Sequence, residues 1–381
     1  MPADLEGVVA TSTRLSRVDG EAGRLTIAGY AVEDLAPHAG FEEVAYLLLK
    51  GRLPAPAELV RFTEDLAGRR ALSPAVVEVL RRAAGARVTP MDALRMAAGL
   101  LGLGGEEDPL NDAMTAIAAF PTIVGSYWRA LNGQDPVPAR SDLSHAAHYL
   151  HQVFGTEPEA ERARGLETYL NTVCDHGLNA STFAARVIVS TRSDVISAIT
   201  GAVGALKGPL HGGAPGPALD MVLEIGTPER AESVIGAKLD RGERLMGFGH
   251  RIYRVRDPRA DVLGQAAERF YLRGGDRGLY DLARQVEATA LRLLRERKPG
   301  RRLDTNVEFY TALLLHGLGF PTALFTPTFA VGRVAGWSAH CLEQLREGRL
   351  IRPQSEYIGP TDLQYAAGSG RSHSVLTDPV V

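Results

Sequence analysis

Cysteine is scarce. The 381-residue chain carries two, Cys174 and Cys341, both in apolar, helix-like sequence. There is no CxxC pair and no Cys/His ligand spacing, which argues against a structural zinc site and a disulfide framework, so the two thiols read as buried. Lysine is nearly missing as well: only Lys50, Lys207, Lys238 and Lys298 stand among 42 basic residues, leaving 38 arginines. One arginine near a motif therefore says little by itself. Excess charge of either sign is absent too. A formal net charge of −3 argues against general nucleic-acid binding. No long apolar run survives inspection. The most apolar stretch, Leu313 to Val331, is interrupted by Gly317, Gly319, Pro321 and Pro327, which excludes it as a membrane span. The first residues, Met-Pro-Ala-Asp-Leu-Glu, contain no basic and then apolar signal pattern. A soluble cytoplasmic protein without a membrane partner is the expectation.

What is present is helical periodicity over a chain that is 45% apolar and long enough for two or three domains. Phe41, Val44, Ala45 and Leu48 fall on one helical face, and Gly51 with Pro54 ends that run. Leu59, Phe62 and Leu66 mark the next helix. Ser73-Pro74 gives an N-cap followed by proline in the first turn, and Thr227-Pro228 and Thr326-Pro327 repeat the signal. Strand-like sequence is confined mainly to residues 11–30, where Arg17-Val18 and Leu25-Thr26-Ile27 flank Asp19-Gly20 and Gly23. Residues 101–109 and 271–279 read as surface loops. The fold class is mainly α, with a small N-terminal β-hairpin.

Three histidines stand among glycines or polar residues rather than on apolar helix faces. They are His176 in Asp-His-Gly-Leu-Asn-Ala-Ser, His211 in Lys-Gly-Pro-Leu-His-Gly-Gly, and His250 in Met-Gly-Phe-Gly-His-Arg. Glycine beside an imidazole lets backbone and ligand approach closely. Gly-Pro-Leu-His-Gly-Gly reads as a rigid turn that presents its ring. Near the C-terminus, Asn306-Val307-Glu308-Phe309-Tyr310 sets a carboxylate among apolar neighbours. No HExxH pair exists, and no metal site is expected. The remaining histidines, His38, His145, His148, His151, His316, His340 and His373, read as surface or core residues.

In order and spacing, these segments resemble the citrate synthase family. So do Val18-Asp19-Gly20, Phe41-Glu42-Glu43 through Gly51-Arg52-Leu53-Pro54, Asp257-Pro258-Arg259, and Phe325-Thr326-Pro327 through Arg333 and Trp337. The resemblance covers essentially the whole chain and is to the short, dimeric form. It implies a two-domain, all-helical subunit: a large domain of residues 1–210 and 320–381, and a small domain of residues 211–319 that closes on the substrate.

The resemblance also implies an acyltransferase that condenses acetyl-CoA with oxaloacetate, giving citrate and CoA, with no permanently bound cofactor. In it Glu308 takes the place of the catalytic base. His211 takes that of the donor to the thioester oxygen, and His250 that of the group polarising the oxaloacetate carbonyl. His176, Arg259, Arg333 and Arg352 match substrate-binding positions, Arg352 being one that the partner subunit of a homodimer contributes. Residues Leu245, Gly247, Phe248 and Gly249 would hold the adenine by backbone, and Arg301 and Arg302 would face the CoA phosphates.

One departure stands out. The family pattern implies aspartate where this chain has Glu308, and Phe-Tyr-Ser-Gly where it has Phe-Tyr-Thr-Ala. Glutamate keeps the proton affinity within about half a pKa unit but reaches further by one methylene. A second activity stays open, 2-methylcitrate synthesis from propionyl-CoA, and so does a non-catalytic CoA- or dicarboxylate-binding paralogue.

Overall fold

The computed structural model describes residues 7–103, 108–212, 215–250 and 252–361. Two compact units emerge, residues 1–350 and residues 351–381. In the second, the described residues 351–361 form no helix or strand.

The first unit is helical apart from one small antiparallel sheet. Its strands are β1 (Ser16–Asp19), β2 (Arg24–Ile27) and β3 (Tyr30–Ala31), in the order β1-β2-β3. Ser16 pairs with Ile27 and Asp19 with Arg24, so the expected hairpin forms and gains a short third strand.

Proline-led helix starts recur because proline fixes φ where no backbone N–H is needed. Ser73, Thr89, Asp108 and Asp257 each cap a helix whose first residue is proline, at Pro74–Gly85, Pro90–Ala98, Pro109–Leu131 and Pro258–Arg273. Thr227 precedes the Pro228–Asp240 helix. Thr326-Pro327 does not behave this way. A 3-10 turn, Thr322–Leu324, delivers the chain already helical, and the helix starts at Phe325. Pro327 then falls inside the first turn, where its missing N–H costs nothing, and the Thr326 hydroxyl donates to the Gly212 carbonyl at 2.6 Å. The loop expected over residues 271–279 shrinks to three residues, because the Pro258–Arg273 and Arg277–Arg297 helices run into it from both sides. Burial explains the difference: Tyr271 and Tyr280 stack on each other at 5.8 Å inside the core, and both extend their helices. Of the loop expected over residues 101–109, residues 104–107 lie outside the described residues, as does His373.

The Phe325–Glu347 helix is buried on nearly every face and packs against the helices Phe41–Lys50, Pro109–Leu131, Ala160–Val173, Ala180–Ser190 and Val195–Leu206. Small residues let its neighbours approach. A Cβ on Gly336 would lie 2.2 Å from the Cys174 carbonyl oxygen. That contact sets the turn after Val173 directly against this helix and puts His176 near Arg333. A second group of helices, Pro258–Arg273, Arg277–Arg297 and Val307–Gly317, packs together and carries Arg259 and Glu308. Among the described residues no helix is long and apolar enough to cross a membrane.

Close helix packing predicts the cost of one methyl group. At Gly125 a Cβ would lie 2.6 Å from the backbone carbon of Gln152, which cannot swing away, whereas at Gly68 it would meet nothing within 4 Å. Gly125→Ala should destabilise the protein by about 1–3 kcal/mol. Gly68→Ala should be neutral or stabilising by up to about 1 kcal/mol, since alanine is the better helix former. Urea denaturation midpoints of the two variants check this.

Candidate active site

Six side chains from six segments, His176, His211, His250, Arg259, Glu308 and Arg333, line one cavity of about 580 Å³. A second cavity of about 490 Å³ shares His211, His250, Asn306 and Glu308 with the first and continues past Leu245, Gly247, Phe248, Gly249 and Arg301. Lys298 and Arg244 also line it, and Arg244 is a cation the sequence reading missed. Arg302 is exposed and belongs to neither lining. Arg352 is exposed in the C-terminal unit.

Glu308 sits in the first turn of the Val307–Gly317 helix. Asn306 caps that helix, its Oδ1 accepting the Glu308 N–H at 3.0 Å, while its Nδ2 donates to the Gly249 carbonyl at 2.8 Å. The chain from Gly247 to Gly249 is laced to residues 304–306 by two further bonds, Gly249 N–H to Asp304 O and Asn306 N–H to Gly247 O, which together form the Phe248–Thr305 bridge. This lacing needs glycine. Gly247 and Gly249 have φ of +88° and +80°, and a Cβ on Gly247 would press on Phe309 at 3.0 Å. Within this frame the Glu308 Oε2 is out of solvent and has no hydrogen-bond partner among the described residues. Burial raises the carboxyl to about 7, opposed by the Arg259 charge and reinforced by that of Asp257.

The hydrogen bonds around two histidines assign their protons. The Nδ1 of His250 accepts N–H groups from Ile252 and Tyr253 at 3.0 and 3.2 Å. A peptide N–H can only donate, so the ring proton lies on Nε2. That nitrogen is 3.3 Å from Nη2 of Arg259, which also can only donate. Two donors therefore converge on one spot and want an oxygen between them. His211 is set in the opposite sense. Its Nε2 lies 3.3 Å from the Ser181 N–H and 2.8 Å from the Ser181 hydroxyl, which puts the proton on Nδ1. The Ser181 oxygen also accepts the Trp337 indole N–H at 3.1 Å. Burial first and nearby arginines second lower both rings to about 4, so both are neutral above that pH. Burial, then Arg259 and Arg333, holds His176 well below its usual range, and its Nε2 meets the Tyr253 hydroxyl at 3.1 Å.

Positive charge comes from two buried arginines. Arg259 grips the Asp257 carboxylate in a fork, at 3.0 and 2.8 Å. Arg333 anchors its Nε on the Val173 carbonyl at 2.6 Å and lies over the Phe329 ring. Among the described residues it has no carboxylate partner within salt-bridge distance, and burial lowers it to about 10. With Arg259 balanced by Asp257, the cavity keeps the Arg333 charge in excess, which suits an anionic ligand. The supporting roles of Asp257, Asn306, Tyr253 and Ser181 were not assigned from the sequence. Asp257-Pro258 and Asn306 carried a legible signal as N-caps; Ser181 and Tyr253 carried none.

Fold and site define a helical protein with a cationic cavity beside a second one. The chain belongs to the citrate synthase family: the family profile described as "Citrate synthase, C-terminal domain" matches residues 4–354. It is 40% identical to the citrate synthase of Haloferax volcanii, over 95% of this chain and 96% of that one. It is also 40% identical to a 2-methylcitrate synthase of Shewanella oneidensis, over 94% of each. The citrate synthase structure from Pyrobaculum aerophilum superposes with a TM-score of 0.86 at 39% identity, covering 95% of this chain and 93% of that one. That from Thermoplasma acidophilum, a ternary complex with carboxymethyl coenzyme A and oxaloacetate, gives 0.84 at 31%, covering 95% and 97%.

The raised Glu308 carboxyl has a consequence for stability. Below pH 4.5 the group is protonated folded and unfolded alike, and it costs nothing. Between 4.5 and about 7 the unfolded chain ionises first, so stability falls with pH, and above 7 the penalty is constant. Glu308→Gln should therefore stabilise the protein at pH 8 by about 2 kcal/mol, a figure reduced for the group's partial contact with solvent. The gain should shrink towards zero as the pH falls to 4.5. Denaturation midpoints of both proteins across that range measure it.

Proposed function

We propose that Glu308 removes a proton from the methyl group of acetyl-CoA, and that the resulting enol or enolate carbon attacks the ketone of oxaloacetate. Water then cleaves the thioester, giving citrate, free CoA and one proton. The observation that carries this reading is the Glu308 carboxylate, its Oε2 without a partner among the described residues, at the border shared by the two cavities that His211 and His250 also line. A base should have its pKa near the working pH, and Glu308 lies at about 7. The Nδ1–H of His211 is the donor for the thioester oxygen as negative charge grows on it, and a neutral imidazole suffices. The Nε2–H of His250 and the Arg259 guanidinium converge where the ketone oxygen of oxaloacetate would bridge them, so the attacked carbon becomes more electrophilic and the new alkoxide finds a proton. Arg333 and Arg259 take the two carboxylates, and His176 completes that pocket.

The second cavity would take CoA, with backbone at Leu245 to Gly249 against the adenine and Arg244, Lys298 and Arg301 towards the phosphates. Supporting this assignment, a structure similar to this chain holds carboxymethyl coenzyme A with oxaloacetate. Residues 211–319 act as a small domain that closes on the larger remainder and excludes water. The enzyme works as a homodimer in which the partner contributes its Arg352 to each site. A cytoplasmic setting accords with two free, buried thiols. A second reading, propionyl-CoA to 2-methylcitrate, is favoured by one observation: a relative of that name is as similar as a citrate synthase.

CoA thiol release with oxaloacetate, run in parallel with acetyl-CoA and propionyl-CoA, tests the assignment. Faster release with acetyl-CoA is expected, and faster release with propionyl-CoA would transfer it to 2-methylcitrate synthesis. The rate should rise with pH through about 7 as Glu308 loses its proton. Glu308→Gln should lose about 10²–10⁴-fold in kcat. Glu308→Asp should lose about 10²-fold, because the Asn306 cap and the Gly247–Phe309 contact hold the backbone while the carboxylate retracts. A gain in Glu308→Asp would mean that the native carboxylate is badly placed.

A further inference from the structure

One small sheet touches both loops that carry the oxaloacetate-side histidines. At β1 the Ser16 hydroxyl accepts the Gly177 N–H at 2.8 Å and donates to the Asp175 carboxylate at 2.5 Å. Gly177 and Asp175 are the two chain neighbours of His176, so one side chain clamps the turn on both sides of the ring. Gly177 has a φ of +60°, a conformation that a free loop would readily leave. At the other end of the hairpin, the Gly20 carbonyl accepts the Arg254 N–H at 2.9 Å. A Cβ on Gly20 would lie 2.3 Å from the Ile252 carbonyl oxygen, and one on Gly23 would lie 2.6 Å from the Val255 side chain. Ile252 is one of the residues whose N–H fixes the His250 ring.

The clamp is backed by a chain of mostly buried polar groups that leads back to the start of β1. Asp175 also accepts from His340 Nε2 at 3.3 Å, and His340 Nδ1 accepts from Arg186 Nε at 2.9 Å. Arg186 pairs with Glu343, whose other oxygen accepts the Arg14 N–H at 2.8 Å, two residues before Ser16. Desolvating so many polar groups gains little net stability over an apolar cluster of the same volume, but it fixes geometry.

We propose that the N-terminal sheet is a brace that sets His176 and His250 in register for oxaloacetate, with Ser16 and Gly20 as positioning residues. This rests on the assignment of oxaloacetate to the cavity. Neither residue touches the substrate; each acts through a histidine loop.

Ser16→Ala should raise both the KM and the calorimetric Kd for oxaloacetate by about tenfold, the worth of a lost charge-assisted bond plus a misplaced ring. The KM for acetyl-CoA should stay within about twofold. Ser16→Thr, which keeps an oxygen and suits a strand, should restore most of the affinity. Gly20→Ala should shift the same constants in the same direction through the other loop, and it serves as the second test if Ser16→Ala folds poorly. A purely structural role would lower the denaturation midpoint and the yield of active enzyme while leaving both oxaloacetate constants at the wild-type value, and that result overturns the brace. Wild-type protein that binds oxaloacetate but releases no CoA would overturn the proposed reaction and leave the brace testable by Kd. Wild-type protein that fails to bind oxaloacetate would overturn both.

Discussion

The carboxylate of Asp257 holds the centre of this site together. It caps the Pro258–Arg273 helix, accepts both the backbone N–H and the guanidinium of Arg259, and accepts the Val307 N–H at 3.2 Å. Two helix N-termini, each a locus of positive dipole, therefore converge on one buried anion. The arrangement allows a buried arginine to point into the cavity without its charge being left unbalanced. It also fixes where the helix bearing Glu308 begins. Removing the carboxylate would strand the Arg259 charge and free the start of the Glu308 helix in one step, so electrostatics and placement depend on the same atom.

Around that anchor the chain sorts donors from acceptors by using its backbone. Peptide N–H groups occupy Nδ1 of His250 and Nε2 of His211, and each forces the proton to the other nitrogen. No ring has to be charged for this, and burial keeps both neutral above about pH 4. The result is a cavity with two fixed neutral donors, two guanidinium groups and one carboxylate that holds its proton to about 7. Glu308 can lose its proton near neutral pH while the donors keep theirs, and the proposed enolisation and carbonyl attack would rest on that separation of proton affinities.

The parts of this arrangement that were legible in the sequence share a property: each announces itself locally. Glycines around His211 and His250, the Asp257-Pro258-Arg259 start and the polar-apolar alternation near Glu308 all break helical periodicity where the chain has a reason to break it. Helix starts read well when a cap and a proline act alone, as at Ser73-Pro74. The same kind of signal misled at Thr326-Pro327, where a preceding 3-10 turn had already set the direction. Tertiary burial extended helices into both ends of residues 271–279 against local polarity, leaving a three-residue loop. Ser16, Ser181, Tyr253 and His340 were invisible for a different reason. Their role lies wholly in which distant backbone or ring they meet, and nothing in the neighbouring residues encodes a partner 30 or 160 positions away.

Glu308 shows how these levels constrain one another. A glutamate places its carboxylate about one carbon–carbon bond further from the backbone than an aspartate would. The cap from Asn306, the lacing to Gly247 and Gly249, and the seat of Phe309 leave the helix start little room to retreat and absorb that length. The longer chain instead carries the carboxylate outward from the helix N-terminus, whose dipole would keep it ionised, towards the border of the two cavities, where burial dominates. Extra reach and raised proton affinity are thus one effect seen twice. The geometry that carries the carboxylate to that border also raises its proton affinity, with the Arg259 charge limiting how far the pKa climbs.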